Sequence, residues 1–170
     1  MKTRILIVDD NDAIRKALTA LLETHDGWEV CGQAQNGRDG LARAVELRPD
    51  LIILDLVMPL MDGLQTAREI AKILPDAPIL LHTQHYSPEI ELEAKKFGVR
   101  QVMAKTDPAE TLFHALESLL SARTTIPGQD SAVASALTAA TIAENATIDT
   151  SKPEKSSQTI SEPPINSAEN

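Results

Sequence analysis

The sequence predicts a doubly wound α/β domain, and three observations carry that reading. Short aliphatic runs, each ending at polar residues, recur through residues 1–123. Segments with helical apolar spacing separate them, which is the pattern of parallel strands joined by crossover helices. Aromatic residues are scarce, so the core must be built from Leu, Ile, Val and Ala.

Taken in order, Arg4 to Val8 is the first apolar run and stops at Asp9-Asp10. Ile14, Leu18, Leu21 and Leu22 then follow the helical period. Trp28 to Ala34 is more polar and reads as an outer strand. Leu41, Val45 and Leu47 mark a second helix, and Leu51 to Leu54 a strand ending at Asp55. Leu64, Ala67, Ile70, Ala71 and Leu74 mark a third helix, and Ile79 to Leu81 a strand ending at His82-Thr83. Ser87-Pro88 opens a fourth helix. Gln101 to Ala104 is a strand ending at Lys105. The last helix has Asp107 as expected cap, Pro108 at its first position and Glu110 completing an acidic capping box. Uninterrupted apolar runs suit strands buried on both faces. Five strands alternating with five helices leave few topologies once crossovers are right-handed.

Residues 124–170 differ in composition. They are rich in Ala, Ser, Thr and Pro, lack aromatics and carry only Lys152 and Lys155 as cations. Such a segment buries too little apolar surface to offset its ordering entropy, so a disordered tail is expected beyond a 1–123 domain. Ala132 to Ala143 has enough Ala for a fraying helix, but its β-branched and Ser/Thr content opposes it.

Composition also excludes function classes. The formal charge of −9 argues against direct DNA binding, which needs clustered Lys and Arg. The single cysteine, Cys31, excludes an internal disulfide and fits a reducing compartment. Met1-Lys2-Thr3-Arg4 resembles the head of a signal peptide, but the apolar run after it ends too early, at Asp9. No stretch is long enough to span a bilayer. A cytoplasmic protein without membrane insertion is expected, and a homodimer is compatible with the sequence.

The chemistry concentrates at the carboxyl ends of the expected strands, where open α/β sheets form their ligand crevice. Asp9, Asp10, Asp55, Thr83 and Lys105 all fall there, from four different strands. A lone Asp at such a place is usually a turn or cap residue; five polar residues sharing one address are not explained that way. Carboxylates about 4–5 Å apart repel by roughly 3–4 kcal/mol at an effective dielectric near 20. Lys105 or a hard divalent cation must offset this, and Mg²⁺ suits a few carboxylates plus phosphate oxygens. An aspartate beside Mg²⁺, a hydroxyl and a lysine is the equipment for phosphoryl transfer. The four histidines are dispersed and no Cys/His cluster points to a zinc site.

The stretches Ile5 to Asp10 and Leu54 to Gly63, with Thr83 and Lys105, are similar to the bacterial two-component response-regulator receivers over residues 4 to about 121. The resemblance implies a flavodoxin-like strand order of 2-1-3-4-5. It implies Asp55 as phosphoacceptor, Asp10, Asp55 and the Val57 carbonyl as Mg²⁺ ligands, and Asp9 holding the metal through water. It implies Thr83 as the switch hydroxyl and Lys105 as the cation that pairs with the phosphoryl group. The implied donor is a sensor histidine kinase or histidine phosphotransfer protein, and the output is a changed protein-binding face offered to a downstream protein. Lys105-Thr106-Asp107 looks like receivers that precede a helix-turn-helix domain, but residues 124–170 are too short, acidic and apolar-poor to be one. A stand-alone receiver is therefore expected.

Three positions depart from the family pattern. Val102 stands where an aromatic switch residue is common, Gln84 where a small residue is common, and Thr106 where proline often follows the lysine. Val102 and Gln84 speak for a pseudo-receiver, a constitutive interaction module; the intact acidic, hydroxyl and lysine set speaks for a phosphoacceptor. A phosphohydrolase using an aspartyl-phosphate is opposed by Val57, where such enzymes would place a second aspartate. No turnover of an external substrate is expected.

Overall fold

The computed structural model describes residues 1–124. Five strands alternate with five helices: β1 (Thr3–Val8), α1 (Asp12–Leu22), β2 (Trp28–Ala34), α2 (Gly37–Leu47), β3 (Leu51–Leu54), α3 (Gly63–Ile73), β4 (Ile79–Thr83), α4 (Pro88–Lys96), β5 (Val99–Ala104) and α5 (Ala109–Thr124). The strands form one parallel sheet in the order β2-β1-β3-β4-β5, the doubly wound, flavodoxin-like order. Apart from Thr124, the expected disordered tail at 124–170 lies outside the described residues. Among the described residues no helix is long and apolar enough to cross a membrane.

Strand side chains alternate between two cores, as the pleat requires. Leu6, Val8, Ile52, Leu54 and Leu81 pack under α2, α3 and α4 with Ala44, Ala67, Ile70 and Ala94. Ile5, Ile7, Leu51, Ile53 and Leu80 pack on the other face with Leu18 and Leu22 of α1 and Leu112 and Leu116 of α5. β1, β3 and β4 lie inside the sheet, and Ile5 to Val8, Leu51 to Leu54 and Ile79 to Leu81 within them are buried and apolar on both faces. β2 is an edge strand, which accounts for its polar composition.

Register places the site. Val8 pairs with Leu54 and with Ala34, Leu54 pairs with Leu81, and Thr83 pairs with Ala104. The residues that follow these strand ends are therefore brought to one edge. The helices begin there behind defined caps. Asn11, Asn36, Asp62 and Ser87 each accept a hydrogen bond from a first-turn backbone N–H, of α1, α2, α3 and α4 respectively.

Two local expectations are corrected. The Asp107 carboxylate does not cap α5; it accepts from the Ala104 N–H, while the Pro108 carbonyl receives the first helical bonds from Thr111 and Leu112. The reason is local, because the turn after β5 leaves the Ala104 N–H to be satisfied and Asp107 is in reach. In α2 the sheet-facing surface is Gly37, Gly40 and Ala44, while Val45 is exposed. Gly40 rides against Val8, where a Cβ would come within 2.7 Å of a Val8 methyl, so only small residues allow this approach.

Candidate functional site

At the end of β1, Asp9 is buried and its groups are all engaged. Its N–H donates to the Ala34 carbonyl. Its Oδ1 accepts from the Asn11 N–H at 2.9 Å, and its Oδ2 pairs with Lys105 Nζ at 2.7 Å. Its carbonyl accepts from Arg15 Nη1 at 2.7 Å. Asp10, by contrast, is exposed and no ion pair reaches it among the described residues. Its side chain does not cap α1, since Asn11 fills that place.

Asp55 follows β3 and donates its N–H to the Val8 carbonyl, which ties the two acidic strand ends together. Its carboxylate is buried, and Oδ2 lies 2.9 Å from Lys105 Nζ. The loop after it turns tightly: Gly63 N–H donates to the Leu56 carbonyl, and a Cβ on Gly63 would overlap the Asp55 carbonyl oxygen. Thr83 is fully buried at the end of β4, and its Oγ1 accepts from the His85 N–H at 3.1 Å. Lys105 is fixed by its own N–H donating to the Thr83 carbonyl. One ammonium thus bridges two buried carboxylates.

One carboxylate oxygen from each of Asp9, Asp10 and Asp55 lies within 4.8 Å of the other two. Burial pushes the Asp55 carboxyl up from its ordinary range, against the hydrogen bond and charge of Lys105 that pull it down. Burial alone would depress the Lys105 ammonium; the hydrogen bonds to Asp9 and Asp55 outweigh it and hold the group above its usual value. Lys105 therefore stays charged. Three close carboxylates against one ammonium leave excess negative charge at an oxygen-only donor set, with Asp10 open beside it. That set fits a hard divalent cation of the Mg²⁺ type.

Above the acidic group opens a cleft of about 260 Å³, lined by Asp10, Asp55, Val57, Thr83 and Lys105 among others. All six residues singled out in the sequence meet here, with Asp9 beneath the cleft rather than in its lining. Gln84 and His85 also line it. The sequence reading missed Asn11, Ile14 and Arg15. Asn11 was findable as a cap preceding the periodic run of α1. The Arg15 bond to the Asp9 carbonyl has no sequence signal, because it depends on how α1 leans over the end of β1.

Residues 5–117 match the family model described as the response regulator receiver domain. The chain is 36% identical over 117 residues to the transcriptional regulatory protein YdfI of Bacillus subtilis (strain 168), covering 69% of this chain and 54% of that protein. It thus spans about half the length of the curated relatives it matches. Among solved structures, a LuxR-family two-component response regulator from Aurantimonas sp. SI85-9A1 superposes with a TM-score of 0.69 at 28% identity, over 72% of this chain and 88% of that one. The Vibrio cholerae chemotaxis protein CheY4 gives a TM-score of 0.65 at 33% identity, over 70% of this chain and 99% of that one. With the family match, the parallel sheet order and the acidic cluster at its carboxyl edge in agreement, the chain belongs to the response regulator receiver domain family of two-component signalling.

Proposed function

We propose that the chain accepts a phosphoryl group on Asp55 from a phosphohistidine on a sensor histidine kinase or histidine phosphotransfer protein, in a Mg²⁺-dependent reaction. The observation that carries this reading is the Lys105 ammonium held between Asp9 and Asp55 with the exposed Asp10 alongside. Asp55 is the nucleophile: burial strips its carboxylate of water, and Lys105 keeps it ionised and oriented. Asp10, Asp55 and the Val57 carbonyl would hold the metal directly, and Asp9 through a water. Bound there, Mg²⁺ would neutralise charge on the phosphoryl oxygens and on the carboxylates. As phosphate arrives, the Lys105 ammonium is the group placed to pair with a phosphoryl oxygen. The Thr83 hydroxyl donates to another once its proton turns toward the cleft; its oxygen already accepts from His85, which leaves that proton free to do so. The histidine nitrogen leaves with the P–N electron pair.

On this reading the chain modifies itself and turns over no external substrate. Its output is an altered protein-binding face presented to a downstream protein in the cytoplasm. The negative charge supports protein partners rather than DNA for this portion of the molecule. The pseudo-receiver alternative draws on one observation: Val102 is buried in the aliphatic core on the α4 side, so no aromatic ring is available there to swing.

The experiment is to incubate the protein with Mg²⁺ and acetyl phosphate and measure its intact mass. A single phosphate adduct is expected, absent with chelator and absent in Asp55→Asn. An undiminished adduct in Asp55→Asn would remove Asp55 as acceptor, and no adduct in the wild type would favour the constitutive module.

A further inference from the structure

Asp10 is the exposed member of the acidic group, and no ion pair reaches its carboxylate among the described residues. Its backbone is nevertheless held from both sides. The peptide unit before it carries the Asp9 carbonyl, which accepts from Arg15 Nη1 at 2.7 Å. The peptide unit after it carries the Asn11 N–H, which donates to Asp9 Oδ1 at 2.9 Å. Each peptide unit is a stiff plane, so restraining both leaves the two Asp10 dihedrals between them little freedom. The direction in which the Asp10 side chain leaves the backbone is set accordingly. The clamp is itself anchored. The Arg15 side chain is only 12% exposed, and its Nη2 donates to Asp12 Oδ1 at 3.0 Å. The Arg15 carbonyl accepts from Thr19 Oγ1 at 2.8 Å, and that hydroxyl accepts in turn from Gln33 Nε2 of β2 at 2.9 Å. α1 is thus tied to the sheet edge one turn beyond the arginine.

We infer that Arg15 is a positioning residue for metal binding: it holds the Asp9–Asp10 peptide so that the Asp10 carboxylate stands beside Asp9 and Asp55 before a divalent cation arrives. The inference rests on the function proposed above, in which Asp10 is a metal ligand. A ligand already in place loses little freedom on binding, which is how preorganisation raises affinity. The rigid fork of the guanidinium presents its two donors at a fixed spacing, which a single ammonium nitrogen does not reproduce. Charge alone acts in the opposite direction. Arg15 is a cation at the acidic edge, so removing it would by itself strengthen the binding of another cation. The sign of the effect therefore separates positioning from electrostatics.

The test uses the full chain as wild type, Arg15→Gln and Arg15→Lys, with Mg²⁺ as the probe. Calorimetric titration should show Mg²⁺ binding about tenfold weaker in Arg15→Gln, the usual cost of losing a group that orients a metal ligand. Arg15→Lys keeps the charge but not the fork, and should weaken binding about threefold or more. Without metal, the amide NMR order parameter of Asp10 should fall from about 0.85 in the wild type to below about 0.6 in Arg15→Gln, with Ile5 to Val8 unchanged. Arg15 touches no reacting atom, so saturating Mg²⁺ should return adduct formation from acetyl phosphate in Arg15→Gln to within about twofold of the wild-type rate. Equal or tighter Mg²⁺ binding in Arg15→Gln, unchanged binding in Arg15→Lys, an Asp10 amide as rigid as in the wild type, or a rate deficit that excess Mg²⁺ does not close would each overturn the positioning role alone. Should Arg15→Gln fail to fold, the Arg15→Lys comparison decides. A wild type that binds no Mg²⁺ would remove the Mg²⁺-dependent phosphoacceptor reading, and this inference with it.

Discussion

Replacing Asp10 by Asn tests the electrostatics of the acidic edge. Asp9 and Asp55 each have an ion pair to Lys105, at 2.7 and 2.9 Å, whereas Asp10 has none among the described residues. Its carboxylate oxygen lies within 4.8 Å of both others. At an effective dielectric near 20 each repulsion would be roughly 3–4 kcal/mol, and in bulk water about 1 kcal/mol. Asp10 is exposed, so the lower figure is nearer, and the attraction of Lys105 offsets part of it. Asn keeps the shape and removes the charge, and no cap is lost because Asn11 is the cap. The metal-free variant should therefore be more stable than wild type by about 1 kcal/mol.

The opposite should hold with Mg²⁺. Ligand linkage stabilises the wild type by RT ln(1 + [Mg²⁺]/Kd), about 2.7 kcal/mol at a hundred times Kd. The variant should lose most of this gain. Trp28, buried and the only tryptophan, reports unfolding by fluorescence, so urea titrations with chelator and with excess Mg²⁺ give all four stabilities. An Asp10→Asn protein that is less stable without metal, and still gains as much from Mg²⁺ as the wild type, would refute both the repulsion and the placement of the metal.

Three further outcomes follow from the same structure. Leu60 is 77% exposed with a φ of 70°, so Leu60→Gly relieves a left-handed backbone at little loss of burial; after glycine's greater freedom in the unfolded chain it should raise stability by about 0.5–1 kcal/mol, and a lower urea midpoint would count against it. His82 has a folded pKa below its ordinary 6.5, so the unfolded chain takes up the proton first as pH falls. The stability contribution is complete above 6.5 and is lost below it, and His82→Leu should flatten the fall in stability between about pH 7 and 5; an unchanged slope would show that other groups set it. Gly63→Ala drives a methyl into the Asp55 carbonyl and to within 2.8 Å of Leu56 Cα, both backbone. It should destabilise by about 2–3 kcal/mol and diminish the phosphate adduct, whereas wild-type behaviour would mean the loop yields freely.

The strands were legible because a parallel sheet covered on both faces needs uninterrupted apolar runs, and Ile5 to Val8, Leu51 to Leu54 and Ile79 to Leu81 are such runs. Each run stops where the chain leaves the sheet. The parallel register then sets those stops side by side, so the first polar residue after a strand becomes a site coordinate, and Asp9, Asp55 and Lys105 could be placed without any contact being known. Helix faces were less legible where packing needs smallness. The inner face of α2 is Gly37, Gly40 and Ala44, which leave no hydrophobic period, and Val45 misdirected the reading.

What stayed invisible is what depends on the approach of elements distant in sequence. Arg15 reaches the Asp9 carbonyl only because α1 folds back over β1. His82 sits one residue before Thr83, yet strand alternation turns it to the opposite face of the sheet, away from Thr83 and toward α1. A polar residue in a strand that is otherwise aliphatic was there to be seen, but its side of the sheet decides its partners. On one face a polar group meets the acidic cleft. On the other it meets the apolar residues of α1, and its Nδ1 is left without a partner among the described residues. The same alternation that made the cores predictable thus separates two adjacent residues into two environments, with Lys105 lining both.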